Sequence, residues 1–432
     1  MVAPASDRSY DIALLGATGF TGALTAVELA GRAPADLRWA LAGRNRNKLT
    51  AVRDRVVAAH PDAPAPELVI ADTADPASLA ALARGTRVLT TTVGPYIVHG
   101  DPVVAACAAA GTDYLDLTGE PEFVDRSYVA HHAAAVASGA RLIHACGFDS
   151  IPHDLGVQFA VEQLPEGVPL KLRGYLRAGG RFSGGTFASA MTGFSRVRQN
   201  VSAARARRRA EPSVVDGRQV HVEEPGTPHR ALDAWAVPLP TIDPQIIGRS
   251  ARAMPRYGPD FSYGHYAAVK RLPIAVGGVT GLLGLVAAAQ VGPLRRALLA
   301  RVPQGEGPSE RQMDAGWFSL RVVGEGGGQR VVCEISGGDP GYRETSRMLA
   351  DATLCLAFDA TGHGRPGDDR AGDGASAAYA AAGVGDPVRR GRLVGSARFF
   401  QAVVAEEEAT VGQRERGDTT DAEGDRRVGG RA

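Results

Sequence analysis

A chain of 432 residues, 44% apolar and 22% charged, has the makeup of an ordinary soluble protein and is long enough for two or three domains with real cores. Its 48 basic and 47 acidic side chains nearly cancel, so global charge argues for neither a nucleic-acid partner nor a strongly acidic one. The four cysteines, Cys107, Cys146, Cys333 and Cys355, are far apart and form no CxxC or Cys/His cluster; no disulfide framework and no metal centre are expected, and a reducing cytoplasm fits. No basic segment followed by a long apolar core marks the amino terminus, so no secretory signal is expected.

Tyr10 to Leu15 reads as a short apolar strand running into Gly16-Ala17-Thr18-Gly19-Phe20-Thr21-Gly22, after which Phe20, Leu24 and Val27 recur at helical spacing. A strand, a glycine-rich turn and a helix start form the seat of a dinucleotide pyrophosphate. Gly16 allows the tight turn, Gly19 the close approach of backbone to phosphate, and Gly22 the packing of helix on strand. The next strand, Arg38 to Ala42, ends at Gly43-Arg44-Asn45. An NAD site wants an acid at its end; here a glycine is followed by Arg44, which can pair with a 2′-phosphate, so NADPH is the expected cofactor.

Leu49, Val52 and Val56 mark a second helix, Leu68 to Ala71 a third strand ending at Asp72, and Asp75-Pro76 the start of a third helix. Val88 to Val93 is a β-branched strand ending in Gly94-Pro95-Tyr96, and Pro102 to Ala110 an alanine-rich helix stopped by Gly111. Tyr114 to Leu117 and Arg141 to Ala145 read as further strands around a helix from about Glu122 to Ala137. The order is that of an α/β, Rossmann-type doubly wound parallel sheet, expected over residues 1–150. Ligands of such sheets lie beyond the carboxyl ends of the strands. That places Gly16, Ala17, Thr18, Gly19, Phe20 and Gly22 at the pyrophosphate, Arg44 and Asn45 at the 2′-phosphate, Asp72 at the adenine edge, and Val93, Gly94 and Pro95 at the nicotinamide ribose. Asp72 reads equally as a turn or cap residue, and Gly94-Pro95 as a plain turn.

Residues 151–358 are expected to form a second, α+β domain. Ser183-Gly184-Gly185-Thr186 reads either as a loop touching substrate or as the start of a helix through Phe194. Arg196, Arg198, Arg205, Arg207, Arg208 and Arg209 crowd one helical segment; a solvated face is the default and docking of an acidic carrier domain or anionic headgroups the alternative. Residues 272–291 are apolar but rich in glycine, between Lys270-Arg271 and Arg295-Arg296, which favours a buried helix or a reversible contact with lipid over a membrane span. Trp317 to Val323 and Arg330 to Ile335 form a hairpin about Gly324 to Gly328. From Ala360 apolar periodicity fades, and residues 359–432 read as an atypical or disordered tail.

Gly16 to Gly22, Ala42-Gly-Arg44, Thr92 to Tyr96, Asp113 to Glu120, His144-Ala-Cys-Gly-Phe-Asp-Ser150, Phe182 to Thr186 and Gly337 to Tyr342 together resemble the saccharopine dehydrogenase-like oxidoreductases, and within them the actinobacterial trans-acting enoyl reductases. The resemblance runs from about Tyr10 to Phe358; the family's closing Leu-Thr-Pro segment and amphipathic helix are not visible. It implies NADPH-dependent reduction of a carbon–carbon double bond in an acyl thioester on the carrier domain of a polyketide synthase, or of a lipid-like acyl substrate, in cell-envelope glycolipid synthesis. Such a protein is expected in the cytoplasm, with a second station at the inner face of the plasma membrane. Hydride would reach the β-carbon, and a donor must meet the enolate oxygen and a proton the α-carbon. Tyr96, His144 and Ser183 are the candidate catalytic residues, with Ser150 a further hydroxyl. His144 also reads as a satisfied core histidine, and Glu120 and Asp149 as helix caps or as groups orienting a donor. A saccharopine-type imine or amino-acid dehydrogenase, and a non-catalytic NADPH-binding, lipid-associated protein, are the alternatives.

Overall fold

In the first third of the chain, strands and helices alternate: β1 (Tyr10–Leu15), α1 (Phe20–Ala30), β2 (Trp39–Gly43), α2 (Arg46–Ala59), β3 (Glu67–Ile70), α3 (Pro76–Arg84), β4 (Thr86–Thr91), α4 (Tyr96–Ala110), β5 (Asp113–Asp116), α5 (Pro121–Ser138) and β6 (Leu142–Ile143). The structure is a computed structural model and describes residues 8–180, 184–211, 217–223, 227–301, 307–358 and 403–405. All pairings in the first sheet are parallel and the strand order is β3-β2-β1-β4-β5-β6, so the order reverses between β1 and β4. That reversal is where a crevice opens beyond the carboxyl ends of the strands. β1 and β2 are buried on both faces, as a parallel sheet covered by helices on each side demands.

The chain then continues through α6 (Ile151–Glu162), β7 (Leu170–Gly179), α7 (Gly184–Ser195), α8 (Val197–Ala210), β8 (Gln219–Val222), β9 (His229–Ala231), β10 (Ala234–Pro238), α9 (Asp243–Ala253), β11 (Asp260–Val269), α10 (Leu272–Gln290), α11 (Gly292–Ala300), α12 (Glu310–Asp314), β12 (Trp317–Gly326), β13 (Gln329–Gly337) and α13 (Arg343–Phe358). A short strand, β14 (Val403–Ala405), pairs antiparallel with β13. The second sheet is mixed, in the order β14-β13-β12-β7-β11-β10-β9 with β8 beside β11. β7 lies parallel to β11 and antiparallel to β12. Val157, Ala160 and Val161 of α6 and Ile246 and Ile247 of α9 join Leu320, Val322 and Ile335 of the sheet in one buried core.

Two features lie outside the pattern read from the sequence. The strands of the first sheet come before residue 150 and those of the second after it, while α13, late in the chain, covers the first sheet. Thr353 bonds Thr90 across 2.8 Å, while the carbonyls of Ala357 and Leu356 accept from Arg87 and Arg141. A parallel sheet needs apolar cover on both faces; α3, α4 and α5 supply one, and α13 joins α1 and α2 on the other. Secondly, α4 begins at Tyr96 and carries Pro102 inside it. Its first N–H groups find an acceptor 24 residues away: Glu120 accepts from Tyr96 N at 3.0 Å and Ile97 N at 2.8 Å. None of the four cysteines, all among the described residues, takes part in a disulfide. The tail lies outside the described residues except for β14.

Candidate active site

The carboxyl ends of β1 and β4 meet through backbone and side chain. Thr92 N donates to the Leu15 carbonyl at 3.0 Å, and Thr92 Oγ1 to the Gly16 carbonyl at 3.1 Å. Gly16 has φ +88°, a left-handed conformation that any side chain would strain, and a Cβ there would meet Val93 Cγ2 at 2.7 Å. A Cβ on Gly22 would stand 2.3 Å from the Gly16 carbonyl, so the glycine turn and the first turn of α1 press together as a dinucleotide turn requires. Gly19 is the exposed N-cap of α1 and no side chain caps it; the first turn holds no acid. Its N–H groups and the positive end of the helix are therefore available to an anion. Ala17 is buried, Thr18 half-buried, and the Phe20 ring leaves the turn to meet Tyr342 edge-on at 4.8 Å.

Arg44 stands exposed at the end of β2. Asn45 beside it caps α2 by accepting from Lys48 N at 3.0 Å. Asp72 is half-buried after β3 and accepts from Ala74 N at 3.0 Å, a turn bond of the kind open in the sequence reading. Val93 and Pro95 are half-buried and Gly94 is exposed at the end of β4, on the same edge as the glycine turn.

The three candidate catalytic residues are placed differently. The Tyr96 hydroxyl is buried; it donates to the Thr91 carbonyl and accepts from Leu117 N, both at 3.1 Å. His144 is buried too, with Nδ1 2.6 Å from Asp116 Oδ2 and Nε2 3.1 Å from Ser127 Oγ. Ser183 lies outside the described residues. Ser150 is buried, and its hydroxyl donates to the Asp149 carbonyl at 2.7 Å.

Asp116, not singled out in the sequence, organises this end of the sheet. Its carboxylate accepts from Tyr114 Oη at 2.8 Å and from Thr118 N and Ala145 N at 3.0 Å, besides contacting His144. Ala145 has φ +62°, costly for a residue with a Cβ, and the Asp116 bond helps to hold it there. Only the run Asp113 to Glu120 could have pointed to this hub, since its partners are brought in by β5 and β6.

Glu120 and Asp149 also depart from the cap expectation. Glu120 sits at the N-cap of α5 without capping it; its carboxylate holds α4 and accepts from Ser189 of α7 at 2.8 Å, tying the second domain over this edge. Burial raises the Glu120 carboxyl above its usual value, against the lowering effect of those bonds. Ser150, not Asp149, occupies the N-cap of α6. Asp149 is half-buried after β6, close enough to Gly119 that a Cβ there would be 3.1 Å from its Oδ1. Burial, and then the charge of Asp243, push its carboxyl up to about 7. A carboxyl so placed can exchange a proton at neutral pH.

The arginines of α8 divide. Arg207 is buried over the Tyr128 ring at 4.0 Å with Glu211 3.2 Å away, and Arg196 bonds Glu122, whereas Arg198, Arg205, Arg208 and Arg209 are exposed. Among the described residues α10 is the helix long and apolar enough to cross a membrane, and little of it is buried. The expectation of a buried helix is thus corrected: the second domain leaves most of α10 uncovered.

Residues 12–143 match the saccharopine dehydrogenase NADP binding domain. Over 387 residues the chain is 35% identical to the trans-acting enoyl reductase of Mycobacterium bovis, covering 82% of this chain and 90% of that protein. It is 29% identical over 393 residues to the saccharopine dehydrogenase-like oxidoreductase of Bos taurus, with the same coverage of 82% and 90%. Among solved structures, the apo saccharopine dehydrogenase (L-Glu forming) of Saccharomyces cerevisiae has a TM-score of 0.51 at 11% identity, covering 92% of this chain and 99% of that one, a likeness of fold.

Proposed function

Since the chain belongs to the saccharopine dehydrogenase-like oxidoreductases and takes NADPH as cofactor, we propose that it is an enoyl reductase acting in trans on an α,β-unsaturated acyl thioester carried by a polyketide-type carrier domain, in envelope lipid synthesis. The observation that carries this reading is the 35% identity to a trans-acting enoyl reductase across 82% of the chain, which reaches far beyond the dinucleotide domain.

NADPH, when bound, supplies the hydride that adds to the β-carbon. The N–H groups at the start of α1 would hold the pyrophosphate, Arg44 the 2′-phosphate with Asn45 beside it, Asp72 the adenine edge, and Val93 to Pro95 the nicotinamide ribose. We assign Tyr96 and His144 to bracing the β4 and β5 loops, because the polar atoms of both are engaged inside the protein. Asp149 is the residue we place as proton source for the α-carbon, being half-buried on the edge that faces the crevice. Ser183 stays as the candidate hydroxyl for the enolate oxygen. The exposed arginines of α8 suit an acidic carrier domain, and the uncovered apolar α10, flanked by Lys270, Arg271, Arg295 and Arg296, suits the inner face of the plasma membrane.

The test follows NADPH absorbance with carrier-bound and free 2-enoyl thioesters, saccharopine-type substrates and a control without substrate. Thioester-dependent oxidation, lost in Asp149→Asn while NADPH still binds, is the expected result. The name of the bovine relative favours a second reading, an imine or amino-acid dehydrogenase. Oxidation with saccharopine-type substrates alone would establish it, and tight NADPH binding with no oxidation at all would establish a binding protein.

A further inference from the structure

Below the proposed active site, three side chains far apart in sequence converge. His153 comes from the first turn of α6, Asp243 from the start of α9 and His265 from the middle of β11. All three are buried, His153 at 1% exposure, and one ligating atom from each lies within 4.8 Å of the other two. His153 Nδ1 is 2.9 Å from Asp243 Oδ1, and His265 Nε2 is 3.6 Å from Asp243 Oδ2.

These contacts do not satisfy the groups that make them. Both ring nitrogens of His153, Nε2 of His265 and Oδ1 of Asp243 are buried without a hydrogen-bond partner of acceptable geometry. Native proteins avoid leaving several buried polar atoms of one cluster unpaired unless a ligand or ion engages them. The surroundings are built, not accidental. His265 Nδ1 lies 2.9 Å from the Tyr263 hydroxyl, and a Cβ on Gly174 of the neighbouring strand would come within 2.4 Å of that hydroxyl, so the glycine makes room for the pair.

We propose that His153, Asp243 and His265 form a binding site for one divalent transition-metal ion of the zinc class. Two imidazoles and a carboxylate are ligands such an ion accepts, leaving the fourth tetrahedral position to a water molecule. Bonds of about 2.0–2.1 Å to zinc set tetrahedral ligand atoms about 3.3 Å apart, within the spread of separations here. With Nε2 of His265 on the metal, its Nδ1 carries the proton and donates to Tyr263, which fixes the tautomer and ring plane. The ion would join α6, α9 and β11, pinning the helix that follows the dinucleotide domain to the second sheet. Because the site is buried, it fills as the chain folds.

The test purifies the full chain from cells grown with added zinc and measures metal content by mass spectrometry after dialysis. A parallel sample is refolded with Co²⁺ and its visible spectrum recorded. About one equivalent of metal per chain, Co²⁺ bands of low-symmetry nitrogen and oxygen ligation, and loss of both in His153→Gln and His265→Gln are expected. NADPH binding by the first domain, read by fluorescence, checks that these variants fold. A wild-type chain that folds without stoichiometric metal and gives no Co²⁺ bands would overturn the proposal, as would folded variants that keep the metal. The wild-type arms decide the matter even where a variant fails to fold, and none depends on the enoyl substrate.

Discussion

Gly22 has room for a hydrogen and nothing larger, its would-be Cβ lying 2.3 Å from the Gly16 carbonyl. Gly22→Ala must push the turn off α1. We expect the overpacking cost of about 1–3 kcal/mol to fall on cofactor binding, weakening NADPH roughly 10- to 100-fold in a fluorescence titration while the fold survives. Asp116 is sensitive for the opposite reason. Asp116→Ala would strip an acceptor from Tyr114 Oη, Thr118 N and Ala145 N at once, the last at φ +62°. A loss of about 3 kcal/mol or more in urea unfolding is expected, far above the effect of trimming an exposed acid. The glycine pattern was legible in the sequence because a tight turn leaves a fixed spacing. Asp116 was not, because its value lies in partners that only the sheet brings near.

Among elements, the amino-terminal edge of the first sheet is fastened by Asp11. Burial raises its carboxyl, but hydrogen bonds from Arg38, through N, Nε and Nη2, and from Arg87 Nη1 outweigh this and hold it below the usual range. A carboxyl depressed on folding contributes stability that is full above its unfolded value of about 4 and is lost as pH falls through the folded one. Asp11→Asn should therefore be less stable than the parent at pH 7, with the difference shrinking in acid melts below pH 4. Glu120 fastens α4 instead. Glu120→Ala frees the N–H groups of Tyr96 and Ile97, costing about 0.5–2 kcal/mol as lost caps do, and loosens the Val93 to Pro95 loop. A raised KM for NADPH with little change in far-UV circular dichroism is the outcome to look for. The strand sequence and most helices could be read from periodicity, whereas the start of α4 could not. Pro102 mimics a helix start, and the acid that permits an earlier one lies beyond β5. Asp149 likewise looks like a cap beside Ser150 and Pro152, and loses that place to Ser150.

At the scale of the whole molecule, α10 carries Leu283 at 64% and Ile274 at 60% exposure beside cationic flanks. Sedimentation with anionic vesicles, weak on zwitterionic ones and abolished by Ile274→Asp with Leu283→Asp, is the behaviour expected of a helix lying in an interface. Unchanged sedimentation in that double variant would remove α10 from the account. The apolar run was legible from composition, but whether protein covered it was a tertiary fact, and so was the return of α13 to the first sheet.

One consequence concerns β14. Beyond α13 the chain comes back to give Val403–Ala405 a place along β13, at the margin of the second sheet. The peptide groups it covers are ones that any passing extended chain could use, so these three residues serve as a guard on a sticky border. A chain cut after Phe358 would offer that border bare, and its fate on standing should be self-association at protein concentrations where the parent stays dispersed.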